Sequence, residues 1–182
     1  MPDRIILVSA CLLGVASNYK GSRHPAWETL FCRLMPAAKV AGIVFVPVCP
    51  EQLGGLPTPR LPSELQGSAE SVLGGRARIL AVDGTDVTRP FIAGAEAVEH
   101  IARTLGAVGA ILSEKSPSCG VHQVYDGSFG GKLIEGIGLS AFVLKRLGIP
   151  ILSHRKLVES WNGEMDLECV HLLMRDMGWK DF

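Results

Sequence analysis

An excess of charge of either sign is missing: eighteen Lys and Arg stand against eighteen Asp and Glu, for a formal net charge of +0. A protein that grips a long polyanion by neutralising many phosphates carries a basic surplus. Large nucleic acid is therefore not an expected partner, although a few local donors could still hold one small anion. Long apolar runs are missing too. No stretch approaches the roughly 18 apolar residues of a membrane span. Ile5–Ala10 is only strand-length and lacks the apolar region and cleavage pattern of a signal peptide. Neither a membrane nor export is expected. There is no C-x-x-C pair, no G-x-G-x-x-G and no Walker pattern, so paired-ligand zinc, dinucleotide and nucleoside triphosphate sites find no support. The five cysteines, Cys11, Cys32, Cys49, Cys119 and Cys169, are odd in number and widely spaced. That is unlike a secreted disulfide framework and points to a cytoplasmic protein with reduced thiols.

What is present describes a globular protein. Apolar residues make up 47% and charged residues 20% of 182, enough for one domain with a sizeable core over 1–182. Arg4–Ser9, Ile43–Val48, Ala107–Leu112 and Ile149–Leu152 read as short buried strands, and Ala77–Val82 as a further short one. Helices are expected over Trp27–Ala41, with Pro36 kinking or ending it, over Phe91–Leu105 after N-cap candidates in Thr85–Thr88, over Ser140–Leu147, and over Met165–Met177. Pro50 to Pro62 holds four prolines and two adjacent glycines, a density expected to leave no regular element. A glycine-rich loop is expected after Cys119, running to Gly138. Strands alternating with helices imply an α/β domain with an open, mostly parallel sheet flanked by helices, Rossmann-like.

On that map Cys11 falls two residues past the first strand, Cys49 directly past the second, and Cys119 in the loop after the third. Loops at the carboxyl ends of parallel strands share one sheet edge, where ligands bind. The three thiols are therefore expected to converge, whereas Cys32 and Cys169 lie in predicted helices and read as space-fillers. Soft sulfur ligands select zinc, copper(I) or iron–sulfur clusters. Three ligands leave one metal position open, either for a substrate on a cluster or for water on zinc. Spacing alone does not choose between them.

The surrounding segments carry more. Cys11-Leu-Leu-Gly14, Asn18-Tyr-Lys-Gly21, the run from Val48-Cys-Pro-Glu to Pro-Arg60, Glu114-Lys-Ser-Pro-Ser-Cys-Gly120 and Tyr125-Asp-Gly-Ser-Phe129 together resemble the bacterial thiouracil desulfurase family. The resemblance runs from about residue 5 to 151, with 155–182 as a C-terminal helical extension. It implies a [4Fe-4S] cluster on Cys11, Cys49 and Cys119, whose free iron takes sulfur from a thiolated uracil without net redox. It also implies a small-molecule partner, a thiolated pyrimidine base or nucleotide. Where many relatives read Arg-Tyr-Asp-Gly, this chain has Asn18-Tyr19-Lys20-Gly21, a more positive segment suited to a phosphate-bearing substrate.

Hydrolysis of a thiocarbonyl needs a base for water and a proton for the leaving sulfur or ring nitrogen. Glu51, two residues past Cys49, is the best-placed carboxylate, and Ser118 is a candidate relay. Ser116, Lys115, Tyr19, Lys20, Asn18 and Tyr125 are the substrate-binding candidates. Arg60 either pairs with a phosphate or braces the proline loop. Asp126-Gly127 is first a turn signal. His24, His100, His122, His154 and His171 share no spacing, and His122, three residues from Cys119, is the candidate for a contact behind a ligand. A metal-free cysteine persulfide carrier on Cys119 and a non-enzymatic metal or redox sensor are the alternatives. Oligomeric state is not legible.

Overall fold

Arg4–Ser9 (β1) has no polar residue between Arg4 and Ser9, and such a run can be buried on both faces of a sheet. In the computed structural model, which describes residues 4–23, 25–159, 174, 175 and 178, it is an interior strand. β1 pairs in parallel with Ile43–Val48 (β2) on one side and Gly109–Leu112 (β5) on the other. Ile151–Ser153 (β8) adds to β5, again in parallel, giving the order β2-β1-β5-β8. Pro47 lies in β2, an edge strand, where a missing amide donor is tolerated.

Side chains alternate across the sheet. Ile6 and Val8 face a core with Leu30, Phe31, Leu34 and Ala38 of Pro25–Val40 (α1). Leu7 faces the opposite core, with Val98 and Ala102 of Thr88–Leu105 (α4) and Ala141 and Leu144 of Leu139–Arg146 (α5). Each fully buried Leu, Ile or Phe contributes about 1.5–3 kcal/mol over exposure. A third core lies away from the sheet and joins Leu65, Val72, Ile79, Phe91, Val124 and Leu139. It holds Ser63–Leu65 (β3) paired antiparallel with Ile79–Ala81 (β4), and Ala69–Leu73 (α3). The expected parallel sheet and flanking helices are thus observed.

Several boundaries differ from the sequence reading. α1 starts at Pro25 and continues through Pro36 to Val40. Pro36 and Cys32 are both exposed, so water can reach the carbonyl that proline leaves unpaired, while Leu30, Phe31, Leu34 and Ala38 hold the helix to the sheet. Pro50–Leu53 forms one helical turn (α2) inside the proline-rich stretch. It survives because Pro50 occupies the first turn, where its absent N–H would have had no partner anyway. α4 begins at Thr88, three residues early, and it is Asp86 that accepts the Thr88 amide. The glycine-rich stretch after Cys119 contains an antiparallel hairpin, Gln123–Tyr125 (β6) and Leu133–Glu135 (β7). His154–Glu159 (α6) follows β8. Of the expected terminal helix, Met174 and Arg175 are described and helical; the rest, with Cys169, His171 and His24, lies outside the described residues.

Candidate active site

From β1 the chain steps outward to β2, then returns to place β5 on the other flank of β1. That reversal is a topological switch point, and its crevice lies beyond the carboxyl ends of β1 and β5. Cys11 sits in the 3-10 turn Ala10–Leu13 directly after β1, Cys49 is the residue capping α2 after β2, and Cys119 follows β5. Three adjacent strands thus deliver three thiols to one mouth. They are close enough to feel one another. Burial pushes the Cys11 thiol up to about 11; Cys49 and Glu51 add repulsion, and the Cys11 backbone and Arg60 partly offset it. Burial also pushes the Cys119 thiol up, the Ser9 hydroxyl opposes this, and Cys11, Glu51 and Cys49 reinforce it. Cys32 is exposed on α1, so it is not the buried filler expected.

The Cys119 loop is held from two sides. The Ser116 hydroxyl oxygen accepts the amides of Ser118 and Cys119, each at 3.1 Å. The first amides of α5 would otherwise have no helical partner. Leu139 N–H donates to Pro117 O at 2.8 Å and Ser140 N–H to Ser118 O at 2.9 Å. Gly138 lets α5 approach so closely that a Cβ there would stand 2.5 Å from the Ser118 carbonyl carbon.

Glu51 meets this loop from α2. Its Oε1 accepts Ser118 Oγ at 3.2 Å and Ser116 Oγ at 3.5 Å, and its Oε2 accepts Arg60 Nε. A carboxylate has about four acceptor positions; three are filled, leaving room for one more donor such as water. Arg60 spreads its other donors over Ser17 O at 3.0 Å, Thr58 Oγ1 at 3.2 Å and Pro57 O at 3.3 Å. Its side chain is 7% exposed. Of the two expectations for Arg60, the structure shows bracing.

The remaining candidates divide. Lys115 and Tyr125 line a shallow cleft with Ser63, Glu64, Leu65, Pro117 and Val124, next to the Ser116–Cys119 segment. Lys115 adopts a left-handed backbone, φ 64°. Tyr19 is 42% exposed, with the Lys20 ammonium 5.5 Å from its ring centroid. The Asn18 side chain is engaged within its own turn, accepting the Lys20 and Ser22 amides at 3.0 and 2.9 Å. His122 does not serve as the expected contact behind Cys119. Its exposed ring pairs through Nδ1 with Glu114 Oε1 at 2.7 Å. Burial pushes Glu114 up, but hydrogen bonds from His122, Ser153 and the His122 and Val121 amides outweigh it and leave Glu114 at about 2. Asp126 is a turn residue, accepting Ser128 N–H at 3.0 Å.

Two residues of the site had not been singled out. Glu64, 8% exposed, accepts the Gly127 and Phe129 amides and so anchors the β6–β7 turn. Nothing in its sequence neighbourhood signals that. Ser9 receives the Ser113 amide at 3.0 Å while acting on Cys119. A polar residue closing a buried strand was the available signal.

A family model for 2-thiouracil desulfurase matches residues 6–156. The chain belongs to the 2-thiouracil desulfurase family. It is similar to the uncharacterised protein YbbK of Bacillus subtilis strain 168, 42% identical over 154 residues, covering 84% of this chain and 97% of that one. Among solved structures it is similar to the [4Fe-4S]-dependent thiouracil desulfidase TudS. That likeness has a TM-score of 0.72 and 34% identity, and covers 94% of this chain and 99% of the other.

The donors of this family member suit a soft, electron-poor group. Among the described residues no three potential ligands are drawn together closely enough to hold a single metal ion, although Cys11, Cys49 and Cys119 are near enough to repel one another. The Ser17 hydroxyl is buried with no partner among the described residues, while the Ser17 carbonyl accepts Cys49 Sγ at 3.6 Å. A buried donor without an acceptor is costly, and thiolate or inorganic sulfide beside Cys49 is the kind of acceptor it lacks.

Proposed function

We propose that this chain removes sulfur from a thiolated uracil, as free base or nucleotide. Water is consumed, the uracil form and hydrogen sulfide are released, and no redox change is involved. Cys11, Cys49 and Cys119 would hold a [4Fe-4S] cluster. Bound there, the cluster supplies an open iron, a soft Lewis acid for the thiocarbonyl sulfur. The observation that supports this reading is the delivery of three thiols by the adjacent strands β2, β1 and β5 to one edge of the sheet, where Glu51 on α2 meets the Cys119 loop.

The protein's own residues supply the proton chemistry. Glu51 takes a proton from water at its remaining acceptor position as oxygen adds to the ring carbon. Ser118, already donating to Glu51 Oε1, passes a proton towards the departing sulfur or ring nitrogen and regains one from the carboxyl. Ser116 holds the Ser118 and Cys119 amides in place. Lys115 and Tyr125 in the cleft beside Pro117, and Tyr19 and Lys20 on the turn that Asn18 shapes, would be the groups a pyrimidine and any phosphate meet. A cytoplasmic, reducing setting accords with the free thiols. No described helix is long and apolar enough to cross a membrane.

A metal-free persulfide on Cys119 has less support. That thiol is 6% exposed and burial favours its protonated form, whereas a working nucleophile is exposed and readily ionised. The deciding experiment is anaerobic purification with reconstitution, then iron and acid-labile sulfide analysis together with sulfide release from thiouracils. About four of each per chain with turnover is expected. A loaded protein that never releases sulfide would leave a sensor, and absence of iron would overturn the cluster.

A further inference from the structure

Arg60 looks at first like a loop brace, but its bonds are not spent on one loop. The guanidinium joins three segments: Glu51 on α2, Pro57 and Thr58 in the proline stretch, and Ser17 in the loop that follows Cys11. Its own amide donates to Tyr19 O at 2.8 Å. A planar fork with donors on three nitrogens can fix a carboxylate in direction as well as position, which an ammonium cannot. The division of labour at Glu51 follows. Nε takes Oε2, and Oε1 is turned towards Ser116 and Ser118. Without Arg60, rotation of the carboxylate about its last bond would exchange the two oxygens, and no other described residue bonds Oε2 to resist it. The pair is well shielded, at 7% side-chain exposure for Arg60 and 13% for Glu51, so water competes poorly for either partner.

We infer that Arg60 is a positioning residue of the reaction: it acts through Glu51, orienting one carboxylate oxygen onto Ser118, and does not bind the substrate's phosphate. The inference rests on Glu51 being the base proposed above. All four fork contacts and the backbone contact to Tyr19 are internal to the protein, so the guanidinium has little left to offer an anion.

The test is a double-mutant cycle with Glu51→Gln, Arg60→Lys, Arg60→Gln and the double variant Glu51→Gln/Arg60→Gln. It is read in kcat and KM for free thiouracil and for a thiouridine monophosphate, with iron content and Tm measured alongside. The expectation for Glu51→Gln is a kcat loss of about a hundredfold or more, the usual weight of a general base. Both Arg60 variants should lose about tenfold or more in kcat, with iron content kept and KM equal within about twofold for both substrates. The double variant should be no slower than Glu51→Gln, because the function Arg60 serves is already gone. Multiplying losses, or Arg60→Lys working as well as wild type, would overturn the inference. So would a KM rise confined to the nucleotide, which makes Arg60 a phosphate ligand. Coupling in Tm without coupling in kcat leaves a purely structural ion pair and also overturns it. Should Arg60→Gln not fold, Arg60→Lys carries the same cycle. Full turnover in Glu51→Gln alone refutes the base assignment instead, a result separate from all of these.

Discussion

Ser118 Oγ donates to Glu51 Oε1 at 3.2 Å, joining residues 67 positions apart in the chain. One lies on the loop that carries Cys119, the other two residues beyond Cys49. The contact ties the expected proton chemistry to the expected cofactor ligands, and most of the following predictions test one side of it.

Replacing Cys11, Cys49 or Cys119 with Ala should each abolish the cluster, whereas Cys32→Ala should retain it, since Cys32 is exposed on α1. Iron, acid-labile sulfide and the visible spectrum after anaerobic reconstitution decide this. A full cluster in any of the first three variants removes that ligand from the assignment.

Ser118→Ala should slow turnover by about tenfold to a hundredfold, less than the loss from Glu51→Ala, because water can replace a relay more easily than a base. Both variants should keep their iron. Equal, unimpaired kcat for Ser118→Ala would take the hydroxyl out of the reaction.

Ser17→Ala should raise the Tm of the iron-free protein slightly, because it removes a buried hydroxyl that has no partner among the described residues. The loaded variant should bleach faster in air than wild type. Identical bleaching rates would mean that the hydroxyl meets no sulfur acceptor.

Gly138→Ala should destabilise the fold and the cysteine loop together. The added Cβ would lie 2.8 Å from the Cys119 amide nitrogen and 2.6 Å from Ser118 O. Overpacking of about 1–3 kcal/mol translates into roughly 3–10 °C in Tm for a chain of this size. A reduced iron yield should accompany it, and an unchanged melt would contradict the close approach.

Glu114 gives a pH signature. Its carboxyl lies at about 2 against an ordinary 4.5. A depressed carboxylate adds stability that is complete above its unfolded value and is lost as pH falls through its folded one. The Tm advantage of wild type over Glu114→Gln should therefore be flat above about pH 5 and shrink steadily towards pH 2. An advantage that persisted undiminished at the acid end would show that the pairing with His122 and the backbone does not depend on ionisation.

The strands and the convergence of Cys11, Cys49 and Cys119 at one edge were legible because buried parallel strands announce themselves as apolar runs and their exits share a side. What escaped was settled by contacts distant in sequence. Pro36 is a residue expected to kink or end its helix, yet Leu30, Phe31, Leu34 and Ala38 on the same helix outweigh one missing hydrogen bond. The turn Pro50–Leu53 escaped because proline density suggests irregularity, although proline at the first helical position is favourable. Hairpin β6–β7 has strands of three residues each, too short for any alternation to register. The outward turn of His122 towards Glu114, and the grip of Glu64 on the Gly127 and Phe129 amides, leave no pattern along the chain.

α2 rests on α4 with almost no clearance: a Cβ on Gly54 would fall 1.9 Å from Pro90 O, and one on Gly94 would fall 2.0 Å from Pro50 O. Cys49 caps that turn and Glu51 lies within it, so both are seated on the same backbone-to-backbone contact. A shift of one is a shift of the other. The Asn18–Ser22 turn, which displays Tyr19 and Lys20 outward, is tied to that unit through Arg60, whose amide donates to Tyr19 O at 2.8 Å. If Cys49 and Glu51 hold the roles proposed for them, ligand and base are one rigid unit, and neither can be repositioned alone.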